Sequence, residues 1–343
     1  MNKKISDDIK DLLKELENTQ WTWKTNFEKI KNLKIMTRKD LQSLPMKKGL
    51  FTTRTSGSTG EPVKVEKTYG DFLWYIASNI RELLWRKWDF SKNIAIIRGD
   101  FKKEEKSSWG IPKDIFPNQG KTYMMNFLPI KEIQQWLEEV NPHYIHCYPS
   151  IFKQLDITKI SNFIDHKSTG EIGGTMFSSE ECGTIAIQCP DNKENYHVLE
   201  NQLIEVDDDG GMIISTLTNP YIRRYKNGDY IELGVCSCGR SLQTIKNIKG
   251  RVRNMFVLPN GDKKWPLVGS RDYYEKFGIK RFQAIQTSLH EIELKIICDP
   301  LAEKEKELIE LVKKWIDSPV EVKINYVNNF PQGKFEEFVS MIT

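Results

Sequence analysis

Between residues 55 and 64 the chain reads Thr-Ser-Gly-Ser-Thr-Gly-Glu-Pro-Val-Lys. Thr55 opens the run, and Gly57 and Gly60 let the backbone turn its N–H groups toward an anion with no Cβ in the way. Ser56, Ser58 and Thr59 add hydroxyl donors, and Lys64 adds a positive charge where the chain leaves the loop. The set suits a polyphosphate. It is not a Walker loop, because no Gly-Lys-Ser/Thr follows the first glycine at the required spacing. The alternative is a flexible Gly/Ser surface loop; the exit through Pro-Val-Lys into strand-like sequence favours phosphate binding. A second group is Cys189, His197, Cys236 and Cys238. Three thiolates and an imidazole are a common structural zinc set, closed by four protein ligands. Its alternative is buried cysteines beside an ordinary histidine. Cys147 and Cys298 lie in strand-like runs and read as core, and Cys182 is off the pattern.

The 343 residues carry 51 basic and 47 acidic side chains, for a formal charge of +4. So small an excess leaves no electrostatic footprint for nucleic acid or an anionic membrane surface. No apolar run approaches the ~20 residues of a membrane-spanning helix. The first twenty residues are charged throughout, without an apolar signal core, so a cytoplasmic protein is expected. Six cysteines are too few for a disulfide scaffold in a chain of this length.

These side chains need elements to hold them. Helical periodicity marks residues 4–18, 69–88 and 130–140. Short apolar runs at 93–99 and 142–148 alternate with those helices, which predicts βα units and a parallel or mixed sheet. From 183 to 248 short strands follow one another with turn residues between, predicting antiparallel pairing. Beyond about residue 250, two or three alternating strands and one helix, with Leu301, Leu308, Leu311, Val312 and Trp315 on one stripe, predict a small α+β lobe.

The order of motifs is itself informative. RKDLQ precedes TSGSTGEPVK; IAIIRGD, NPHYIHCYPS, MFSSEECGTIAIQCP, IISTLTNPYIRRYKNGDY, CSCGR, IKGRVRN and FPQGKFEEFV follow it. Together they resemble the adenylate-forming superfamily of acyl-CoA synthetases, luciferases and adenylation domains. Within it the chain looks most like the phenylacetate–CoA ligase branch, especially its capsule-biosynthesis subgroup. The resemblance runs from about residue 35 to the C-terminus. It implies an α/β fold, with a large N-terminal domain (1–250) of mixed sheets flanked by helices. That domain would bind ATP and the carboxylate, beneath a small mobile α+β C-terminal lid (251–343).

The resemblance also implies roles. Phe177 lies against adenine, where the family more often has tyrosine. Ser179 sits near the α-phosphate, Glu180 holds Mg²⁺, and Asp229 accepts the ribose hydroxyls. Arg251 is near the ribose and hinge. Lys334, in Pro-Gln-Gly-Lys, bridges carboxylate and α-phosphate. The CxC of Cys236 and Cys238 resembles a zinc-binding feature of some members. The implied partners are a small carboxylic acid and an acyl acceptor, namely CoA, a carrier protein or an amine. The leading expectation is an acyl-AMP followed by transfer to a thiol such as CoA. The alternatives are transfer to an amine or hydroxyl, or a degenerate nucleotide-binding scaffold. Two departures stand out. Gly170-Glu171 is followed almost at once by GGTMFSSEE, a supersecondary unit short of the family pattern, and Arg253-Asn254 stand where an acidic hinge residue is usual. Arg81, Trp85, Trp88, Arg98 and Trp109, lying between loop and sheet, are candidate walls of an acyl pocket.

Overall fold

The computed structural model describes residues 3–18, 23–54, 63–99, 101–169, 174–251, 255–264, 276–316, 318–330 and 338–342. Seven helices are described: α1 (Lys3–Asn18), α2 (Trp23–Ile30), α3 (Arg38–Ser43), α4 (Tyr69–Trp85), α5 (Ile130–Val140), α6 (Pro149–Phe152) and α7 (Lys304–Ile316). The first hairpin pairs β1 (Phe51–Arg54) with β2 (Lys64–Lys67), Arg54 opposite Lys64.

A five-stranded sheet follows: β3 (Ile94–Ile97), β4 (Glu104–Lys106), β5 (Thr122–Met125), β6 (Tyr144–Cys147) and β7 (Asp165–Ser168), in the order β4-β5-β3-β6-β7. All pairs are parallel except β4 with β5. Apolar runs such as Ile-Ala-Ile-Ile in β3 suit a parallel sheet covered on both faces. The amphipathic α5 buries Ile133, Trp136 and Leu137, which recur at helical spacing, and ends at Asn141 in the left-handed region (φ 43°).

The second sheet is wholly antiparallel, as expected for 183–248. It comprises β8 (Met176–Ser179), β9 (Gly183–Gln188), β10 (Tyr196–Val198), β11 (Gln202–Val206), β12 (Gly211–Thr216), β13 (Tyr225–Gly234) and β14 (Thr244–Arg251), in the order β11-β12-β13-β14-β10-β9-β8. Its core takes in Leu41 of α3 and Val63 and Val65 of the hairpin exit, so the hairpin is packed onto this sheet.

Toward the C-terminus, β15 (Phe256–Val257) pairs with β16 (Lys263–Lys264). A four-stranded sheet has the order β19-β18-β17-β20, formed by β17 (Arg281–Ser288), β18 (Glu291–Ile297), β19 (Glu321–Tyr326) and β20 (Phe338–Ser340). Only its central pair is antiparallel. Its core draws on residues 256–322, with Phe338 against it, and α7 contributes Leu308, Val312 and Ile316. Leu301, placed on the helix stripe by sequence, precedes the helix instead. Buried Gln286 of β17 bonds both the N–H and C=O of Val257, at 2.8 and 2.6 Å, tying β15 to this sheet. The result is the expected α/β architecture of mixed sheets and flanking helices, followed by a smaller α+β unit.

Candidate functional site

The stem of the Gly/Ser loop is docked at the β8–β9 turn. Thr53 Oγ1 in β1 donates to the Glu180 carbonyl at 2.9 Å, and the buried ammonium of Lys67 in β2 donates to the Glu181 carbonyl. Both strands bounding the loop therefore meet the β8–β9 turn, β1 at Glu180 and β2 at Glu181. The turn is closed by the Cys182 N–H donating to Ser179 Oγ at 3.1 Å. A cavity of about 430 Å³ opens there, and its walls include Ser179, Glu180 and Lys67. Burial pushes the Lys67 ammonium pKa down, opposed by the nearby acids Asp71, Glu181 and Glu180.

The other predicted residues are spread around this point. Thr55, Ser56, Gly57, Ser58, Thr59 and Gly60 lie outside the described residues, as does Lys334. Lys64 is exposed at the start of β2. Phe177 is half-buried and packs against the antiparallel sheet's core, while its neighbours Met176 and Ser178 line the cavity. Buried Asp229 sits on β13 directly opposite Arg251 of β14. Asn227 orients it: its amide donates to Asp229 Oδ2 at 2.6 Å, and its Oδ1 accepts from the Asp229 N–H at 3.1 Å. Gly228 between them has φ +84°, which glycine adopts without strain. Neither Asp229 nor Phe177 lines the cavity, so the candidates form two groups. Tyr225 links them: it lies on β13 and donates to Glu181 Oε1 at 3.4 Å.

Of the five candidate wall residues, Arg98 alone lines the cavity. Arg81 is buried in an ion pair with Glu200. Trp85 lies edge-on to His197. Trp88 stacks on Tyr144 at 4.1 Å, and Trp109 packs edge-on to both, in a separate cluster. Sequence position between loop and sheet could not tell a helix face turned to the cavity from one turned to another core. Sequence reasoning also missed Lys67. Strand alternation puts Val65 and Lys67 on the same, buried face, and an inward lysine was the available signal.

Cys189, His197, Cys236 and Cys238 converge, with their ligand atoms all within 4.8 Å of one another. A tetrahedral zinc with Zn–S bonds of about 2.3 Å sets two sulfurs about 3.8 Å apart. The Sγ atoms of Cys189 and Cys236 are 3.8 Å apart, and Cys238 Sγ is 3.2 Å from His197 Nε2. Burial, with Arg240 and Arg81 nearby, holds the imidazole pKa at about 4, so it is neutral near pH 7 as a ligand must be. Arg240 lies 3.7 Å from Cys189 Sγ and 2.6 Å from Asp191, placing a cation beside the thiolates. The donor set and spacing fit zinc. None of the four lines the cavity.

No protein-family model and no curated sequence relative matches the chain. Solved structures do. 2-Hydroxyisobutyryl-CoA ligase, in the postadenylation state with 2-HIB-AMP, superposes with TM-score 0.68 at 13% identity, over 98% of this chain and 88% of that one. O-succinylbenzoate coenzyme A synthetase from Bacillus subtilis, in complex with AMP, gives 0.53 at 11% identity, over 82% and 66%. Amide bond synthetase McbA from Marinactinospora thermotolerans gives 0.51 at 12%, over 82% and 65%. At these identities the likeness is one of fold, and the fold of this chain is the one shared by these adenylate-forming ligases.

Proposed function

We propose that the protein activates a carboxylic acid with ATP as an acyl-AMP and transfers the acyl group to a thiol such as CoA. It would do so as a member of the adenylate-forming superfamily on its phenylacetate–CoA ligase-like branch. The observation that supports this best is the docking of the loop stem on the Ser179–Glu180 turn at the cavity mouth. That joins the phosphate-binding sequence to the residues expected near the reacting phosphorus.

In the first half-reaction a carboxylate oxygen of the acid attacks the α-phosphorus of ATP. A new O–P bond forms, the bond to the β-phosphate oxygen breaks, and pyrophosphate leaves. Loop residues 55–60 and Lys64 bind the leaving phosphates through N–H, hydroxyl and ammonium donors. Ser179 hydrogen-bonds the α-phosphate. Glu180 would hold Mg²⁺, which when bound would neutralise charge on the phosphate oxygens. Asp229 accepts the ribose hydroxyls beside Arg251, and Phe177 lies against the adenine. Lys334 offsets charge building between carboxylate and phosphate. In the second half-reaction a thiolate attacks the acyl carbon and AMP leaves. The boundary at 250–251 lets the C-terminal unit exchange Lys334 for an acceptor channel between the two steps.

Cys189, His197, Cys236 and Cys238 hold one structural Zn²⁺, since four protein ligands leave no position for substrate. A screen of carboxylic acids for pyrophosphate release, repeated with CoA and with amines, tests the reading. Acid-dependent pyrophosphate with thioester formed only when CoA is present supports it, and amide formation alone moves the acceptor to an amine.

A further inference from the structure

Val63, Val65 and Lys67 alternate onto one inward face as the chain enters β2. The two valines enter the core of the antiparallel sheet. Lys67 lies one step further along, and it lines the cavity. The residue is only 5% exposed, and a lysine is almost never fully buried unless it is paired. Its backbone is pinned. The Lys67 carbonyl accepts from the Leu50 N–H at 2.7 Å. A Cβ at position 49 would strike that carbonyl, so Gly49 permits the close approach. The next residue, Thr68, caps α4.

An ammonium carries three N–H donors. Among the described residues the Glu181 carbonyl is the one acceptor that takes a hydrogen bond from Lys67 Nζ. The acids around the ammonium are Asp71, Glu181 and Glu180, and their charges oppose the effect of burial on its proton. Two of them are held by other donors. Asp71 accepts from Thr218 and Asn219 at 2.7 Å each and from the Thr68 N–H at 2.9 Å. Glu181 Oε1 accepts from Tyr225 at 3.4 Å and lies 3.9 Å from Arg38. Glu180 is exposed. A buried charge with a single carbonyl for a partner is costly. An oxyanion entering the cavity would supply the further acceptors.

The position of the ammonium indicates which oxyanion. It bonds the same turn that carries Ser179, and Ser179 lines the same cavity. Lys64, three residues earlier, is on the opposite and exposed face of the strand. The two lysines of β2 therefore serve different places, one at the exit of the Gly/Ser loop and one inside the cavity.

We infer that Lys67 is a further catalytic residue: its ammonium binds the phosphate that becomes joined to the acyl group, beside Ser179, and stays on it through both half-reactions. The assignment rests on the ligase reading above. In the first step the ammonium offsets charge as the carboxylate oxygen bonds phosphorus and pyrophosphate leaves. In the second the thiolate sulfur bonds the acyl carbon and the bond from that carbon to the phosphate oxygen breaks. The electron pair stays on that oxygen of AMP, where the same ammonium meets it.

The test compares the binding of AMP and of adenosine by calorimetry on wild type, Lys67→Met and Lys67→Arg. Only AMP carries the phosphate, so the ratio of the two affinities reads the contact. Lys67→Met should weaken AMP by about ten- to a hundredfold, the range for a hydrogen bond to a charged group, and leave adenosine unchanged. Lys67→Arg should keep part of the AMP affinity. Should Lys67→Met not fold, Lys67→Gln takes its place, since it keeps an N–H for the Glu181 carbonyl without the charge. If AMP and adenosine weaken together, Lys67 only ties the turn and the inference is overturned. It is overturned equally if neither weakens, or if wild type binds no AMP. In the rate assays Lys67→Met should slow both pyrophosphate release and the conversion of supplied acyl-AMP, and wild-type rates in both would contradict the role. If no acid releases pyrophosphate from wild type, yet AMP affinity depends on a cation at 67, the phosphate contact stands and the ligase reading falls.

Discussion

Substitution of Lys334 tests whether the two half-reactions are separable. If it offsets charge at the phosphorus, Lys334→Ala slows pyrophosphate release by on the order of a hundredfold, the usual loss for one such electrostatic contact. Conversion of supplied acyl-AMP to product then stays near the wild-type rate. An equal fall in both steps would contradict the exchange of Lys334 for the acceptor. The cysteine cluster predicts about one zinc per chain in protein purified without added metal, measured by elemental analysis. Cys238→Ser should lose that zinc and roughly 3 kcal/mol or more of stability in denaturant titration, within the tail of single-substitution effects that loss of a metal site populates. At this scale the sequence was informative where chemistry needs rare residue types. Cys189, His197, Cys236 and Cys238 were found from ligand type, with the CxC pair and its resemblance in support, and come together. Arg98 was recognised as a candidate wall residue among four others that are not. Lys67 was not recognised, because a lysine is ordinarily solvated and only its place in the strand alternation marks it as buried.

At the scale of elements, α4 matters most because Asp71, Trp74, Tyr75 and Asn79 on it line the cavity. Its start is fixed by a capping box: Thr68 Oγ1 accepts from the Asp71 N–H at 3.0 Å, and Asp71 Oδ2 accepts from the Thr68 N–H at 2.9 Å. Thr68→Ala should cost about 1 kcal/mol in equilibrium unfolding, with a matching rise in mobility of Asp71. β7 carries a titrating residue, His166. His166 stacks on Phe152 at 3.5 Å, and its pKa falls from 6.5 to about 4, chiefly by burial, against the pull of Asp165. The unfolded chain therefore binds this proton more readily than the folded one. The stability that follows from a neutral His166 is fully present above pH 6.5 and is lost as pH falls toward 4. His166→Gln should flatten the dependence of Tm on pH across that window, and an unchanged slope would place the titration elsewhere. Periodicity located α5 because it buries a regular face, and short apolar runs located β3 and β6, which are buried on both faces. It found only part of the C-terminal sheet, where β20 is three residues long and lies far along the chain from its partner β17. Short strands paired at long range leave little periodic signal.

For the whole molecule, sequence alternation pointed to a parallel or mixed sheet, an antiparallel sheet and a small α+β unit in that order, and all three are present, the first as a mixed sheet. The strand order was not legible, because periodicity says which face is buried and nothing about which strands are neighbours. Yet that order, with β5 and β6 on opposite sides of β3, brings Arg98 and His146 into the lining of the cavity that Thr53 of the loop stem and Ser179 also border. The central claim is that ATP is split between its α- and β-phosphates by a carboxylate. Its most direct measurement is the nucleotide product formed from ATP and Mg²⁺ across the acid panel, resolved by chromatography with pyrophosphate quantified in parallel. The account predicts acid-dependent formation of AMP and pyrophosphate in equal amounts once an acceptor is present, and strong attenuation in Lys334→Ala. ATP left intact across the whole acid panel, or converted to ADP and inorganic phosphate, would contradict it.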